Sequence, residues 1–278
     1  MHRPVLLNES IEGLNIQRGE YYIDATAGEG GHLWAMLQKG ANVLALDRDE
    51  NQIKKLINMF KEDKNVTFEI GNFASIEQIS LKCGFKSVSG ILFDLGLSNE
   101  QLQKGGIGLS YKKLDEPLDM RLDKTSEITA KKLINSLNEE QLYKLFAKNS
   151  EELYSLQIAR AIVLERKRRE IKTVGSLVKI IKNVVTDSPN GAIARIFQAL
   201  RVEVNSEYQN LESALKGALL LVRSGGRIVI ISFHSLEDRI VKRFIKNNHL
   251  KQLKKKVIKF GRDHFTFERS AKLRVIII

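Results

Sequence analysis

The first hundred residues alternate short apolar runs with amphipathic stretches, and this alternation constrains the fold more than any other feature of the chain. The apolar runs cover residues 21–24, 43–46, 66–70 and 88–93, and helical patterns lie at residues 32–40 and 50–60. In the second helical pattern, Ile53, Leu56, Ile57 and Phe60 fall on one face, as in a helix that packs on a sheet. Strands that alternate with helices predict a parallel sheet covered by helices.

The alternation stops after the fourth strand. A glycine-rich turn at residues 105–111 and Pro117 lead into helical patterns that continue to about residue 185. Within them, Asn138 and Gln141 have the spacing of a capping box. Residues 188–191, Ser-Pro-Asn-Gly, interrupt the helical pattern again.

Strand composition returns at residues 227–233 and 273–278, and Ser235 with Asp238 predicts the cap of a helix between these strands. The economical interpretation is one doubly wound α/β domain that a helical insertion interrupts. We expect residues 1–110 and 196–278 to form the core, the latter with a basic C-terminal region, and residues 111–195 to form the inserted helical domain.

Carboxylates end three of the four early strands, at Asp24, Asp47 and Asp94. The carboxyl ends of parallel strands form the edge at which open α/β sheets bind ligands. At the end of the second strand, Asp47 can accept hydrogen bonds from two ribose hydroxyls, or it can cap the helix that follows. The pattern favours a ligand with an adenosine-like part.

Glycines at positions 28, 30 and 31 follow the first strand, where a missing side chain lets the backbone approach a ligand. Ordinary turn chemistry is the alternative. After the third strand, Phe73 can stack on adenine or belong to the core. The glycine spacing lacks part of the dinucleotide-binding fingerprint, so a methyltransferase that uses S-adenosylmethionine is preferred to a dinucleotide enzyme.

The formal charge of +12 favours a polyanionic partner. Between residues 239 and 274, thirteen Lys or Arg stand against two acids. This stretch is predicted to face RNA, with a solvated basic tail as the alternative. Residues 166–169, Arg-Lys-Arg-Arg, are predicted to contact phosphates.

Composition also limits the class of protein. The single cysteine, Cys83, excludes an internal disulfide and any metal site with several cysteines, and we expect no bound metal. The apolar runs are much shorter than the ~20 residues of a membrane helix. We therefore expect a cytoplasmic protein without a membrane partner.

Several blocks of the sequence resemble those of the bacterial 16S ribosomal RNA (cytosine-N4)-methyltransferases, the ribosomal small subunit methyltransferase H family. The similarity runs nearly end to end. Its blocks are His2-Arg-Pro-Val-Leu-Leu-Asn-Glu9, Gly28-Glu-Gly-Gly-His32, Asp47-Arg-Asp49, Gly90-Ile-Leu-Phe-Asp-Leu-Gly-Leu-Ser98, Pro117-Leu-Asp-Met-Arg121, Phe197-Gln-Ala-Leu-Arg-Val202, Val204-Asn205, Ser232-Phe-His-Ser-Leu-Glu-Asp-Arg239 and Arg269-Ser-Ala-Lys-Leu-Arg274.

The resemblance implies a class I, Rossmann-like methyltransferase fold with an inserted helical domain. It also implies methyl transfer from S-adenosylmethionine to the exocyclic N4 of a decoding-region cytidine in 16S ribosomal RNA, within the small ribosomal subunit. A homodimer is compatible with it. The family's cofactor-binding positions match Gly30, Gly31, His32, Asp47, Phe73, Asp94 and Gln101. Two departures affect the substrate side: Ile107 replaces an arginine, and Asn99 replaces a serine.

The amine of cytosine is a poor nucleophile because its lone pair is delocalised into the ring, so hydrogen-bond acceptors beside it should favour reaction. Asp94, Asn99 and the neighbouring backbone carbonyls are the hypothesised acceptors. His234, just past the fifth core strand, is the other catalytic candidate, and a structural histidine that fixes its loop is the alternative.

Five cations are hypothesised to bind RNA: Arg121, Arg195, Arg201, Arg269 and Lys272. Surface charge or pairing within the chain is the alternative for the first three. Two other functions stay open from the sequence. One is a non-catalytic RNA-binding or ribosome assembly factor that keeps the fold, and the other is a methyltransferase that acts on another substrate.

Overall fold

The computed structural model describes residues 4–96, 106–253, 258–259 and 270–278. The chain forms two compact units. Met1–Gly96 together with Tyr208–Ile278 make the sheet unit, and Leu97–Glu207 make the helical unit. Among the described residues, no helix is both long and apolar enough to cross a membrane.

The sheet unit contains strands β1 (Tyr21–Asp24), β2 (Asn42–Asp47), β3 (Val66–Ile70), β4 (Val88–Asp94), β5 (Val222–Ser232), β6 (Lys251–Gln252), β7 (Ile258–Lys259) and β8 (Lys272–Ile277). Their order is β3-β2-β1-β4-β5-β8-β6, and β7 also pairs with β8. The first five strands are parallel, and β8 runs antiparallel to β5. The expected class I, Rossmann-like α/β fold is confirmed.

The helices are α1 (Leu7–Leu14), α2 (Gly31–Gln38), α3 (Glu50–Met59), α4 (Ile76–Lys82), α5 (Ala130–Ser136), α6 (Glu139–Ser150), α7 (Ser155–Arg166), α8 (Val174–Val184), α9 (Pro189–Val204), α10 (Glu207–Leu221) and α11 (Ser235–Asn247). A short 3-10 helix, Phe73–Ser75, precedes α4.

The two faces of the sheet bury different side chains because neighbouring residues of a strand point in opposite directions. On one face, Tyr22 and Ala45 pack with residues of α1, α2 and α3. On the other, Ile23 and Phe93 pack with residues of α4, α10 and α11. The strand ends therefore lie between two apolar layers.

The helical unit has its own apolar core, formed by one side of each helix from α5 to α9. Phe146 of α6 is fully buried there, and the fully buried Leu177 of α8 and Leu200 of α9 belong to the same core. The predicted capping box of α6 is confirmed, because Asn138 and Gln141 exchange side-chain hydrogen bonds with each other's backbone N–H.

The structure differs from the sequence-based expectations at α9 and α11. The helical pattern is interrupted as expected, since α8 ends at Val184, but the break ends at Ser188. Residues 189–191 form the first turn of α9, because a proline suits the first helical position. Ser235 is the first residue of α11, so the cap lies one residue earlier, at His234. The Oε2 atom of Glu237 accepts from the N–H groups of Phe233 and His234 at 2.8 and 3.0 Å.

The limits of the helical unit also differ from the expected residues 111–195. The buried side chains of α9, among them Ile193 and Phe197, belong to the helical core. The helical unit therefore includes the whole of α9 and ends at Glu207, and residues 106–110 belong to it as well. A propensity pattern locates a helix, but only packing decides which core the helix joins.

Candidate functional site

Asp24, Asp47 and Asp94 are the last residues of β1, β2 and β4, which lie side by side in the order β2-β1-β4. Asp24 is in register with Ala45 and Leu92, two residues before the other carboxylates. Because side chains alternate along a strand, all three carboxylates point to the face that carries α1 to α3. The structure therefore brings them together at one edge of the sheet.

The carboxylate of Asp47 joins the turn after β1 to the end of β2. Its Oδ2 accepts from the N–H of Gly28 at 2.8 Å, and its Oδ1 accepts from the N–H of Asp49 at 2.9 Å. The cap of α3 is Asp49, whose side chain accepts from the N–H of Asn51, so the capping alternative for Asp47 is wrong. Burial raises the pKa of Asp47 above its usual value, although these N–H groups oppose the shift.

Asp24 is fully buried. Its Oδ1 accepts from the N–H of Thr26 at 3.3 Å, whereas its Oδ2 is buried with no hydrogen-bond partner among the described residues. Burial raises the pKa of Asp24 to about 7, and the negative charges of Asp94 and Asp47 add to the shift. A buried acceptor without a partner is costly, so a cation or a donor group beside it would relieve the site.

Asp94 and His32 lie next to each other but do not form an ion pair at neutral pH. The Nδ1 of His32 is 3.9 Å from the Oδ2 of Asp94. Burial lowers the pKa of His32 to about 4, despite the opposing effect of the Val5 backbone, so the imidazole is neutral. Its Nε2 is a second buried atom without a partner among the described residues.

The carboxylate of Asp94 stays accessible, with 21% of its side chain exposed. Its Oδ1 accepts from the N–H of Gly96 at 3.2 Å, and its own N–H donates to the Thr26 hydroxyl at 2.7 Å. Burial raises the pKa of Asp94 to about 6, so it is mostly ionised at pH 7 and can accept hydrogen bonds.

Different structural constraints account for the glycines in the turn after β1. Gly30 has a φ of +82°, and a methyl group there would lie 2.5 Å from Cδ2 of Leu56 and 3.3 Å from Cε2 of Phe60. Packing against α3 therefore accounts for Gly30 without a ligand. Gly28 has a φ of +48°, and a methyl group there would make only an ordinary contact, 3.8 Å from the carbonyl oxygen of Thr26. Gly31, which is buried, begins α2.

Phe73 is half buried, and its ring and that of Phe93 are nearly perpendicular, with a centroid distance of 6.0 Å. It packs onto the core of the sheet unit, as the alternative to adenine stacking requires, but part of its surface is accessible. His234 is half buried at the start of α11. The predicted site residues Asn99 and Gln101 lie outside the described residues.

Arg121 and Arg201, both hypothesised to bind RNA, form two-pronged ion pairs inside the helical unit. The Nε and Nη2 of Arg121 lie 2.6 and 2.9 Å from the carboxylate oxygens of Asp119. The same atoms of Arg201 lie 2.8 and 3.0 Å from those of Glu207. Each arginine is therefore paired with an acid of the same chain, which was the alternative to RNA contact.

The other hypothesised RNA-binding cations also lie near acids where the structure describes them. The Nε of Arg195 is 2.7 Å from Oε2 of the buried Glu152, although 45% of the arginine side chain is exposed. Lys272 lies 3.7 Å from Asp238. Arg269 is outside the described residues.

The sequence analysis missed a buried charge network between α11 and β8. Asp238 and Arg274 are both buried, and Nε of the arginine donates to Oδ1 of the aspartate at 2.6 Å. Lys242 lies 3.1 Å from the same carboxylate. Although burial alone would raise it, these cations hold the pKa of Asp238 below its usual value. The available signal was an arginine inside an apolar strand, which requires a partner.

The side chain of Asn205 connects its own block of the sequence to the distant block at residues 117–121. Its Oδ1 accepts from the N–H of Leu122 at 2.9 Å, and its Nδ2 donates to the carbonyl oxygens of Met120 and Arg201, also at 2.9 Å. Met120 has a φ of +61°, which is unusual for its residue type. The asparagine thus stabilises an uncommon turn.

Comparison with known proteins matches residues 1–276 to the MraW methylase family. A protein from Ehrlichia chaffeensis named Ribosomal RNA small subunit methyltransferase H is 42% identical over 256 residues, covering 89% of this chain and 85% of that protein. A protein of the same name from Thermosipho melanesiensis is 42% identical over 260 residues, covering 91% and 88%. The family resemblance seen in the sequence is confirmed.

Proposed function

This chain belongs to the MraW methylase family, and we propose that it transfers a methyl group from S-adenosylmethionine to the exocyclic N4 of a decoding-region cytidine in 16S ribosomal RNA. The names of its relatives support a ribosomal RNA substrate. The observation that carries the proposal is the group of three carboxylates, Asp24, Asp47 and Asp94, on adjacent strand ends. We infer a cytoplasmic reaction on the small ribosomal subunit.

The chemistry of the carboxylate group suits S-adenosylmethionine. This molecule carries two positive charges, on its sulfonium and its ammonium group, and one negative charge. Burial raises the pKa values of Asp24 and Asp94, and the charges of Asp94 and Asp47 raise that of Asp24 further, so a cationic neighbour would stabilise the ionised carboxylates. The unpartnered Oδ2 of Asp24 is an acceptor that such a ligand can satisfy.

Asp47 can also bind the ribose. Each of its oxygens accepts one backbone N–H, which leaves further acceptor capacity for two hydroxyl groups. Half-buried Phe73 offers an aromatic surface for adenine. We propose that Gly30, Gly31, His32 and Gln101 complete this binding site.

When bound, S-adenosylmethionine supplies a methyl carbon that is already activated by the sulfonium, so the protein mainly has to align the acceptor and exclude water. Ionised and partly exposed, Asp94 can accept a hydrogen bond from the cytosine amine. This bond would favour a more nucleophilic nitrogen. Asn99 and His234 are further proposed partners of the amine.

The acceptor hypothesis is tested by single-turnover methylation with saturating S-adenosylmethionine. We expect Asp94→Asn and Asn99→Ala each to slow the chemical step at least tenfold, because the first replaces an ionised acceptor of the amine protons by a weaker neutral one and the second removes an acceptor. Unchanged rates in both variants would reject the hypothesis for these two residues.

The function itself is tested by mapping labelled methyl groups after incubation with small subunits that lack the modification. We expect one labelled nucleotide in 16S RNA, with the methyl group on N4 of a cytidine. Binding of S-adenosylmethionine without incorporation would indicate a non-catalytic RNA-binding factor. Label in protein or in another RNA would indicate a different substrate.

A further inference from the structure

Two separate stretches of the helical unit contribute cations to one surface. The basic surface consists of Lys131, Lys132, Lys172 and the four residues 166–169, Arg-Lys-Arg-Arg. Glu165 and Glu170 are the acids of the same stretches, which leaves a net charge of +5. This positive charge lies in a small part of the helical unit and is separate from the basic stretch at residues 239–274.

Hydrogen bonds fix these stretches against each other. The Nη1 of Arg166 donates to the carbonyl oxygen of Ile134 at 2.6 Å. Asn135 and Ile171 exchange two hydrogen bonds, of 2.8 and 3.1 Å. Lys131 lies 2.8 Å from Glu170. The cations therefore sit on a defined surface, unlike those of a solvated tail.

Leu118 brings the beginnings of α5 and α8 together. Its N–H donates to the carbonyl oxygen of Lys172 at 3.1 Å, and its carbonyl oxygen accepts from the N–H of Lys131 at 2.6 Å. Lys172 directly precedes Thr173, the N-cap of α8. Backbone contacts thus place lysines from two helix beginnings around one residue.

Helix stability does not explain these lysines. Lys131 and Lys132 occupy the first turn of α5, where the helix dipole favours acids over cations. Neither α5 nor α8 has an acid in its first turn. Glu170 pairs with Lys131 and Lys172, but the cations of this surface outnumber its acids, which favours an anion from outside the chain as an additional partner.

The ion pairs of this surface are exposed and easily exchanged. The side chain of Arg168 is 83% exposed, and its distance of 3.9 Å from Glu165 is at the upper limit for an ion pair. Lys172 is 3.4 Å from Glu170, and both side chains are well exposed. Exposed pairs of this kind contribute little to stability, so a phosphate can replace the carboxylate.

We propose that the basic surface binds the phosphodiester backbone of the ribosomal RNA substrate. The inference rests on the proposed function and adds a surface of the helical unit to it. Backbone phosphates carry no sequence information, so these contacts orient the RNA, and the choice of base is made elsewhere.

The test removes three exposed cations at once, in the variant Lys132→Gln, Lys167→Gln, Arg168→Gln. Affinity for small subunits that lack the modification is measured over a salt series. Each lost phosphate contact lowers the slope of log affinity against log salt by about 0.7 to 0.9, so we expect a slope smaller by about 2 to 3. At the lowest salt, we expect roughly tenfold weaker binding or more.

The matched control removes three other exposed lysines of the same unit, Lys144→Gln, Lys148→Gln, Lys182→Gln. It changes the net charge equally but leaves the basic surface intact, so we expect a much smaller change in slope. A control slope equal to that of the first variant would overturn the proposal. Binding of S-adenosylmethionine by both variants checks that the fold is intact.

A second measurement identifies the partner. A photo-crosslinking amino acid, Arg168→p-benzoylphenylalanine, should form crosslinks to 16S RNA, and crosslinks only to ribosomal protein would overturn the proposal. Methylation by the unmodified chain is measured in the same preparation. If the chain binds RNA through this surface but does not methylate it, the result contradicts the proposed function and leaves the proposal for the basic surface intact.

Discussion

At the scale of single residues, Asp24 couples stability to pH. Its pKa is raised to about 7 in the folded chain, so between about pH 4 and 7 the folded state holds a proton that the unfolded state has released. The free energy of unfolding should therefore fall as the pH rises through this interval and level off above it. Urea unfolding of the protein without cofactor, at several pH values, measures this slope.

Asp24→Asn should flatten this dependence because the variant has no titrating group at this position. Asp94, with a pKa of about 6, contributes in the same direction, so Asp94→Asn should flatten only the part below about pH 6. Equal slopes in all three proteins would show that Asp24 is not protonated in this interval. We also expect the affinity for cationic S-adenosylmethionine to rise with pH, and Asp24→Asn should reduce this rise.

The turn glycines give a second prediction at this scale. Gly30→Ala forces a methyl group onto Leu56 and Phe60 as well as requiring a positive φ, so we expect a loss of about 2 to 4 kcal/mol in unfolding free energy. Gly28→Ala has only the positive φ to overcome, and about 1 kcal/mol is expected. Chemical unfolding of both variants is the measurement, and similar losses would contradict the packing explanation.

The carboxylate group could be predicted from the sequence, whereas the reason for Gly30 could not. An acid at the end of a strand is visible in the apolar pattern, and parallel pairing brings neighbouring strand ends together. The contacts of Gly30 come from Leu56 and Phe60, more than twenty residues later. Side-chain packing over such a separation leaves no local signal in the sequence.

At the scale of helices and strands, the Asp238–Arg274 pair connects α11 to β8. Asp238→Asn would leave the buried guanidinium without its charged partner, and we expect a loss of about 3 to 5 kcal/mol in unfolding free energy. Lys242 contacts the same aspartate from the surface, with 59% of its side chain exposed. Lys242→Gln should therefore cost less than about 1 kcal/mol. If the two variants lost the same stability, the buried pair would not be the main connection.

Most helices and strands could be predicted from periodicity because their apolar spacing records the face that packs. The beginning of α9 could not, since Ser188-Pro-Asn-Gly191 suits a turn as well as a first helical turn. The ion-pair partners of Arg121 and Arg201 could not be predicted either. An arginine has several acids within reach along the sequence, and only the fold selects Asp119 and Glu207.

At the scale of the whole molecule, Trp34 is the single tryptophan and lies in α2, which belongs to the sheet unit. Its fluorescence therefore reports unfolding of the unit that carries the three carboxylates. S-adenosylmethionine at a hundred times its Kd should raise the unfolding free energy seen by this probe by about 2.7 kcal/mol. Asp47→Ala should reduce the increase at the same concentration, and an undiminished increase would place the ligand elsewhere.

The overall charge predicted a polyanionic partner, and this agrees with the relatives, which are named as ribosomal RNA methyltransferases. The charge says less about which part of the chain faces the RNA. Of the cations expected to face RNA near the C-terminus, Lys242, Lys272 and Arg274 surround Asp238. Much of the remaining stretch, residues 254–257 and 260–269, lies outside the described residues.

The pairing of β4 with β5 has a consequence for how the protein is made. During translation, β4 is complete at Asp94, but its neighbour β5 begins only at Val222, after the helical unit has been synthesised. At ordinary rates of translation, the nascent chain exposes an open strand edge for roughly ten seconds. Ribosome-bound chains stopped before Val222 should be readily cleaved by protease between β1 and β4. This early segment is where a chaperone would give the greatest protection against aggregation.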